Sequence, residues 1–222
     1  MVTLTNLVDL PLAIRQLVAP EWHQPLIDSG HAARYKKREY AIRIGERDRF
    51  VRIGLSGWTA LKRGSNIIGL GSVGIQTNAI GKDPKPATAD LFTLTEVTAV
   101  LLDSALLTEA VTKSGPESIW TIFKWSQMNT DMICAFSAIK CGCPPDIGLA
   151  ALLWILSTPQ PNGTKLIPRG IPQDAIGSVL GVSREIINKR WQSLSTTGYI
   201  MEIDGEEYMD ATTPMLISVL GF

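Results

Sequence analysis

Apolar residues recur at two different periods along this chain, and the change of period divides it. Leu10, Ile14 and Val18 repeat at helical spacing, with Pro20 and Pro25 breaking the run, so residues 1–30 read as short helical pieces. From about Ala33 the pattern turns to short alternating segments, Tyr40–Ile44, Phe50–Leu55, Trp58–Leu61 and Ile67–Ile75. Gly45, Gly57, Gly64, Gly71 and Gly81 punctuate them. Strands this short, separated by turn signals, predict an antiparallel β sandwich or barrel. Gly81–Pro86 reads as a loop, and Leu91–Leu94 with Val97–Leu102 as a last strand pair.

The helical period takes over at Asp103-Ser104. A short helix reaches about Lys113 and stops at Ser114-Gly115; Pro116, at a first helical position, starts a long helix ending near Lys140. Trp125, Met128, Met132, Ala135 and Ile139 alternate three and four apart along it, as the a and d positions of a coiled-coil seam do. Ile119, Ile122, Phe123, Ile133 and Phe136 make its other faces apolar, so the helix is expected to be buried on several sides. One side suits the β domain and another a second copy of the chain, two-fold homodimers being the commonest oligomers. Cys141-Gly-Cys-Pro-Pro145 reads as a hinge, Asp146–Leu156 as a core helix, Thr158–Gly163 as a turn and Lys165–Pro168 as a short strand.

Ile171–Leu194 then has the form of two short helices joined by a tight turn. Pro172 suits a first helical turn, and Ile176, Val179 and Leu180 give the first helix a buried side. Gly177 costs about 1 kcal/mol relative to Ala in mid-helix, which predicts a close helix–helix approach there. Gly181 suits a left-handed stop and Ser183 an N-cap. On the second helix Ile187, Trp191 and Leu194 share one face; Arg184, Glu185, Asn188, Lys189 and Gln192 share the other. Such a face suits a major groove, because these side chains donate to or accept from base edges. It also suits a plain helical hairpin with a solvated face. The next segment favours the groove. Tyr199–Ile203 and Glu206–Met209 alternate about Asp204-Gly205, a type I′ turn signal, and a hairpin after two such helices is a wing. The domain organisation expected is 1–103, 104–143 and 144–222.

Composition constrains this picture. Lys+Arg and Asp+Glu both total 21 in 222 residues, so no net charge draws the chain to nucleic acid. Arg34–Arg63 nonetheless holds ten basic residues against Glu39, Glu46 and Asp48, which reads as a solvated strand surface. No signal peptide or membrane-spanning run stands out, so a soluble cytoplasmic protein with no membrane partner is expected. Cys134, Cys141 and Cys143 are odd in number and lack a tight C-x-x-C spacing, so buried or inert thiols, not a metal site, are expected. No Ser/His/Asp set, carboxylate pair or phosphate loop stands out, which argues against an enzyme.

The order of β-roll, long helix and winged helix-turn-helix resembles the Crp/Fnr family of bacterial transcription regulators. Ile176-Gly177, Gly181 and Val182-Ser183-Arg184-Glu185 are close to the family's signature ahead of its recognition helix. Gly54-Leu-Ser-Gly-Trp58 looks like a β-roll turn of the family, and Thr93-Leu-Thr-Glu-Val97 like the approach to its last strand. The resemblance implies an α+β fold: an N-terminal cyclic-nucleotide-binding-like antiparallel β-roll, a long dimerisation helix and a C-terminal winged helix-turn-helix. It implies a homodimer on a two-fold operator in double-stranded DNA, RNA polymerase as a partner, and an effector in the β-roll. Carried over, Arg184 and Glu185 are base readers, with Asn188 on the same face, and Lys189 contacts base or phosphate. Ser183 and Gln173 contact phosphate. Arg190 stands where the family has an aliphatic residue; at the edge of the buried face near Ile186, it is expected to snorkel outward, where it could meet a phosphate.

The β-roll departs from the family's cyclic-nucleotide binders. Gly69-Leu-Gly-Ser-Val-Gly74 has no Glu for a ribose, and Lys85-Pro-Ala-Thr88 has no Arg for a cyclic phosphate. Cyclic AMP is therefore not expected, and no cofactor is identified. No cysteine precedes Cys134, so the N-terminal cluster of Fnr-type oxygen sensors is missing. The alternative function is a regulatory interaction module whose winged helix binds protein. In favour of it, Gln160–Phe222 carries five basic and seven acidic residues.

Overall fold

Residues 31–35 and 97–103 pair as neighbours in space although some sixty residues separate them, and that pairing organises the first half of the molecule. A computed structural model describes residues 2–72, 74, 75, 83 and 85–213. Contacts group residues 1–65 with 70–131, and residues 66–69 with 132–222, as two compact units.

The first unit opens with an edge strand β1 (Thr3–Asn6), short helices α1 (Leu12–Leu17) and α2 (His23–Ser29), and β2 (His31–Tyr35). The sequence pattern missed both strands: β1 is exposed along its whole length and β2 is Ala-rich, so neither alternates. Pro25 lies in the first turn of α2 and does not end a helix, because the N–H it lacks there has no helical partner anyway. Strands β3 (Tyr40–Ile42), β4 (Phe50–Ser56), β5 (Thr59–Arg63), β6 (Asn66–Gly71), β7 (Gly74–Ile75), β8 (Asp90–Thr93) and β9 (Val97–Asp103) follow. They form two antiparallel sheets ordered β1-β2-β9-β4-β7 and β3-β8-β5-β6. Of the predicted loop Gly81–Pro86, residues 81, 82 and 84 lie outside the described residues.

The run Val97–Leu102 is nearly continuous in its apolar character because both faces of β9 are covered. Val100 and Leu102 join Val51 and Ile53 of β4 under α1, α2 and the following helix α3 (Ser104–Ser114), with Ile14, Leu26 and Leu107 fully buried. Val97, Ala99 and Leu101 point the other way, onto Ala33 and Tyr35 inside the roll. Asp103 caps α3, its carboxylate accepting from the N–H groups of Ala105 and Leu106, both at 3.0 Å. Gly115, at φ 110°, then turns the chain into α4 (Pro116–Gly142).

The face that α4 leaves open differs from the predicted seam. Trp125 packs on the core below α1 and α3, and Phe136 and Ile139 are buried. A second stripe, Trp120, Phe123, Gln127, Thr130, Cys134, Ser137 and Cys141, is exposed at every position and spaced alternately three and four apart. Trp120 and Phe123, each more than half exposed, stack at 5.3 Å. Both stripes have coiled-coil spacing, so the pattern alone could not choose between them. Nor is the helix covered on all its apolar faces: Ile119 and Met128 are exposed as well. Of the thiols expected to be buried or inert, Cys134 and Cys141 are exposed; Cys143 is half-buried, and burial pushes its thiol pKa up.

The second unit comprises the end of α4, α5 (Pro145–Leu156), two-residue strands β10 (Thr158–Pro159) and β11 (Lys165–Leu166), α6 (Gln173–Leu180), α7 (Arg184–Thr196), β12 (Ile200–Ile203) and β13 (Glu206–Met209). Its sheet runs β10-β11-β13-β12, so the predicted hairpin is extended by two short strands. Thr158–Pro159 pairs with Lys165–Leu166, where only a turn was expected, because the register is set by the partner strand and not by any alternation. Leu149, Leu152 and Leu153 of α5 are fully buried with Ile176, Ile187 and Met209. Among the described residues no helix is long and apolar enough to cross a membrane.

Candidate nucleic-acid interface

The two helices of the candidate reader are set by one glycine. A Cβ on Gly177 would stand 2.6 Å from the carbonyl O of Val182 and 3.6 Å from the backbone N of Arg184. The turn between the helices therefore lies directly against α6: the close contact at Gly177 is to the backbone of that turn, where an approach of helix to helix was expected. Gly181 adopts the left-handed conformation at φ 72°, ψ 26°, and Val182 N–H returns to the Gly177 carbonyl at 2.9 Å. Ser183 caps α7, its hydroxyl accepting from Ile186 N–H at 3.4 Å. Pro172 sits one position earlier than expected, at the N-cap of α6, which makes Gln173 the first helical residue.

On α7, Ile187 and Leu194 are buried and Trp191 half-buried, while Arg184, Glu185, Asn188, Lys189 and Gln192 are exposed on the opposite face. Ser183 is exposed just ahead of them, and Gln173 is half-buried at the start of α6. Ile186 is exposed too, so the buried stripe is narrower than the sequence implied. The hairpin turn is type I′ in character, with Asp204 at φ 53° and Gly205 at φ 75°.

Two side chains fix the orientation of α7, and neither role was legible from spacing. The Arg190 guanidinium meets Asp146, in the first turn of α5, through Nε at 2.6 Å and Nη1 at 2.9 Å. This fork joins residues 44 positions apart, which no local pattern reveals; it holds Arg190 on α5 where snorkelling into solvent was expected. Both side chains are nearly half exposed, so the pair supplies direction more than stability. Trp191 Nε1 donates to Glu207 Oε1 at 2.8 Å, tying α7 to β13. Trp191→Phe keeps the packing and removes that bond, and is expected to cost about 1–2 kcal/mol in urea unfolding. A Trp191→Phe/Glu207→Ala double-mutant cycle checks it: additive losses would mean the bond contributes nothing.

The hairpin is acidic. Glu207 is held by Trp191, and Glu206 pairs with Arg169 at 2.8 Å, while Glu202 and Asp204 are exposed. Arg169, 72% exposed beside the turn, is a basic residue at the rim that the sequence pattern did not single out. The signal was its position just before α6, and only the fold brings it to the hairpin.

No protein-family model matches the sequence, and no curated protein matches it either. Its structure is similar to that of several solved proteins. FixK2 from Bradyrhizobium japonicum superposes with a TM-score of 0.67 at 14% identity, over 86% of this chain and 96% of that one. A CooA mutant from Carboxydothermus hydrogenoformans matches at 0.67 and 14% identity, over 99% and 97%. TTHA1359 from Thermus thermophilus, a transcriptional regulator of the CRP/FNR family, matches at 0.53 and 16% identity, over 86% and 100%. The chain has the Crp/Fnr fold. In this chain the N-terminal sheets, the long helix α4 and the α6–α7 pair with its β12–β13 hairpin follow one another in that order.

Proposed function

We propose that this Crp/Fnr-fold chain is a homodimeric, sequence-specific DNA-binding transcription regulator that inserts α7 into the major groove. The carrying observation is the two-faced α7: Arg184, Glu185, Asn188 and Lys189 exposed together, with Ile187, Trp191 and Leu194 anchoring the other side. Arg184 reads guanine through its fork, Glu185 accepts from cytosine, and Asn188 suits adenine. Lys189, Ser183 and Gln173 contact backbone or base edges around them. Arg190, engaged by Asp146, acts as a positioning residue for α7; a phosphate contact would have to share that guanidinium. Residues 1–103 serve as the sensor domain, 104–143 as linker and dimer helix, and 144–222 as the DNA reader. RNA polymerase is the second partner, the effector is something other than cyclic AMP, and the site of action is the cytoplasm.

Selection of bound duplexes from a random pool tests this directly. The expected product is an inverted repeat bound with strong salt dependence. Arg184→Ala should weaken binding by about 1–3 kcal/mol and relax preference at one position of each half-site. Equal binding of all sequences by parent and variant would remove Arg184 from base reading. One observation favours a second reading, in which the winged helix binds protein: exposed Glu202 and Asp204 on the hairpin would repel phosphate. No duplex binding at low salt by a protein that still dimerises would select that reading.

A further inference from the structure

The basic stretch Arg34–Arg63 is not uniformly solvated, and the exception lies inside the roll. On β4, Val51 and Ile53 face the helices, so Arg52 between them faces the interior, where it is only 9% exposed. Its Nε donates to the Tyr35 hydroxyl at 3.2 Å and its Nη2 to the Ala41 carbonyl at 2.9 Å. Its Nη1 pairs with the Asp48 carboxylate, also largely buried. Asp48 arrives on the loop between β3 and β4 and is oriented by Phe50 N–H, which donates to Oδ1 at 3.0 Å. Beside Arg52 is a cavity of about 30 Å³, lined by Arg52, Tyr35, Thr59, Ser72 and Thr93 among other residues. That volume holds about one water molecule. A buried guanidinium requires a counter-charge, and here the chain delivers its own.

We propose that Arg52 and Tyr35 form a latent receptor for a small carboxylate, held shut by Asp48 as a tethered occupant. The ligand class is set by what already fits: one planar monoanion that a guanidinium fork can grasp. While Asp48 is present, a free carboxylate competes with one whose effective concentration is millimolar or higher, so the parent responds weakly. Once Asp48 is withdrawn, a formate-sized anion takes its place on Arg52.

Thermal unfolding of the full chain in sodium formate, against sodium chloride at equal ionic strength, tests this without reference to DNA binding. Asp48→Ala is expected to melt below the parent and to regain about 3–6 °C in formate, saturably, beyond any effect of chloride. Acetate should act more weakly, and 3′,5′-cyclic AMP not at all. The parent should gain far less in formate, relative to chloride, than Asp48→Ala does. Asp48→Ala/Arg52→Met should lose the formate-specific gain, since the receptor is gone. If Asp48→Ala does not fold in chloride, formate-dependent recovery of its circular dichroism is the same readout, with Asp48→Asn as the milder variant. A response to formate no larger than to chloride in both variants overturns the proposal. So does a formate gain that survives Arg52→Met.

Discussion

Replacing Gly57 with alanine should destabilise the β-roll by about 2–6 kcal/mol, a large part of the total stability of an ordinary domain. Two independent costs combine. Gly57 sits at φ 87° in the Gly54-Leu-Ser-Gly-Trp58 turn, where an L side chain costs about 1–3 kcal/mol. A Cβ there would also run into the Glu96 carbonyl O and come within 2.9 Å of Val97 Cα, and overpacking of this kind adds about 1–3 kcal/mol. The obstacle is backbone entering β9, the strand both cores share, so it cannot yield as a side-chain tip would. Gly64 is the internal control: φ is 58°, but a methyl added there would meet nothing within 4 Å. Gly64→Asn should therefore be tolerated, since Asn accepts left-handed backbone, whereas Gly57→Asn should be as damaging as Gly57→Ala. Urea midpoints of these variants decide it; equal losses at both sites would refute the steric account.

Phe123→Glu should convert the proposed dimer to monomer, weakening association by roughly 100-fold or more, since carboxylates would be desolvated in a coiled-coil seam. Which stripe of α4 is open decides where a second copy can pack. Trp120, Phe123, Gln127, Thr130, Cys134, Ser137 and Cys141 are exposed at three-four spacing, whereas Trp125 and Ile139 of the predicted stripe are engaged within the chain. Met128→Glu, off the open stripe, should leave the dimer intact. Sedimentation at micromolar concentration separates the two variants. A parallel pairing also sets Cys134 and Cys141 opposite their own counterparts, within the reach a disulfide requires. Mild oxidation with diamide should then yield a covalent dimer, lost when both are changed to serine and reduced in Phe123→Glu. A parent that sediments as a monomer, or loss of the dimer in Met128→Glu alone, would place the seam elsewhere.

Local signals settled the punctuation of this chain. Gly181 and Ser183 marked the end of α6 and the start of α7, Asp204-Gly205 marked the hairpin, and Asp103 with Pro116 marked helix starts; each is a short-range effect of backbone freedom, ring geometry or an N-cap. The two-faced pattern of α7 was equally legible, because helical period alone separates Ile187, Trp191 and Leu194 from the charged residues. Strands β1 and β2 were not: an exposed edge and an Ala-rich strand acquire their identity from the neighbour they pair with.

What tertiary structure decided lies in contacts between distant residues. The Arg190–Asp146 fork, the Trp191–Glu207 bond and the burial of Arg52 against Tyr35 and Asp48 all depend on which elements meet. The open face of α4 has the same origin. Two stripes of that helix have the same spacing, and only packing on the core below α1 and α3 engages Trp125 of one while it leaves Trp120 and Phe123 of the other bare. Periodicity is a property of one element and reports its faces; which face is covered, and which charge is buried, is a property of the neighbours the fold supplies.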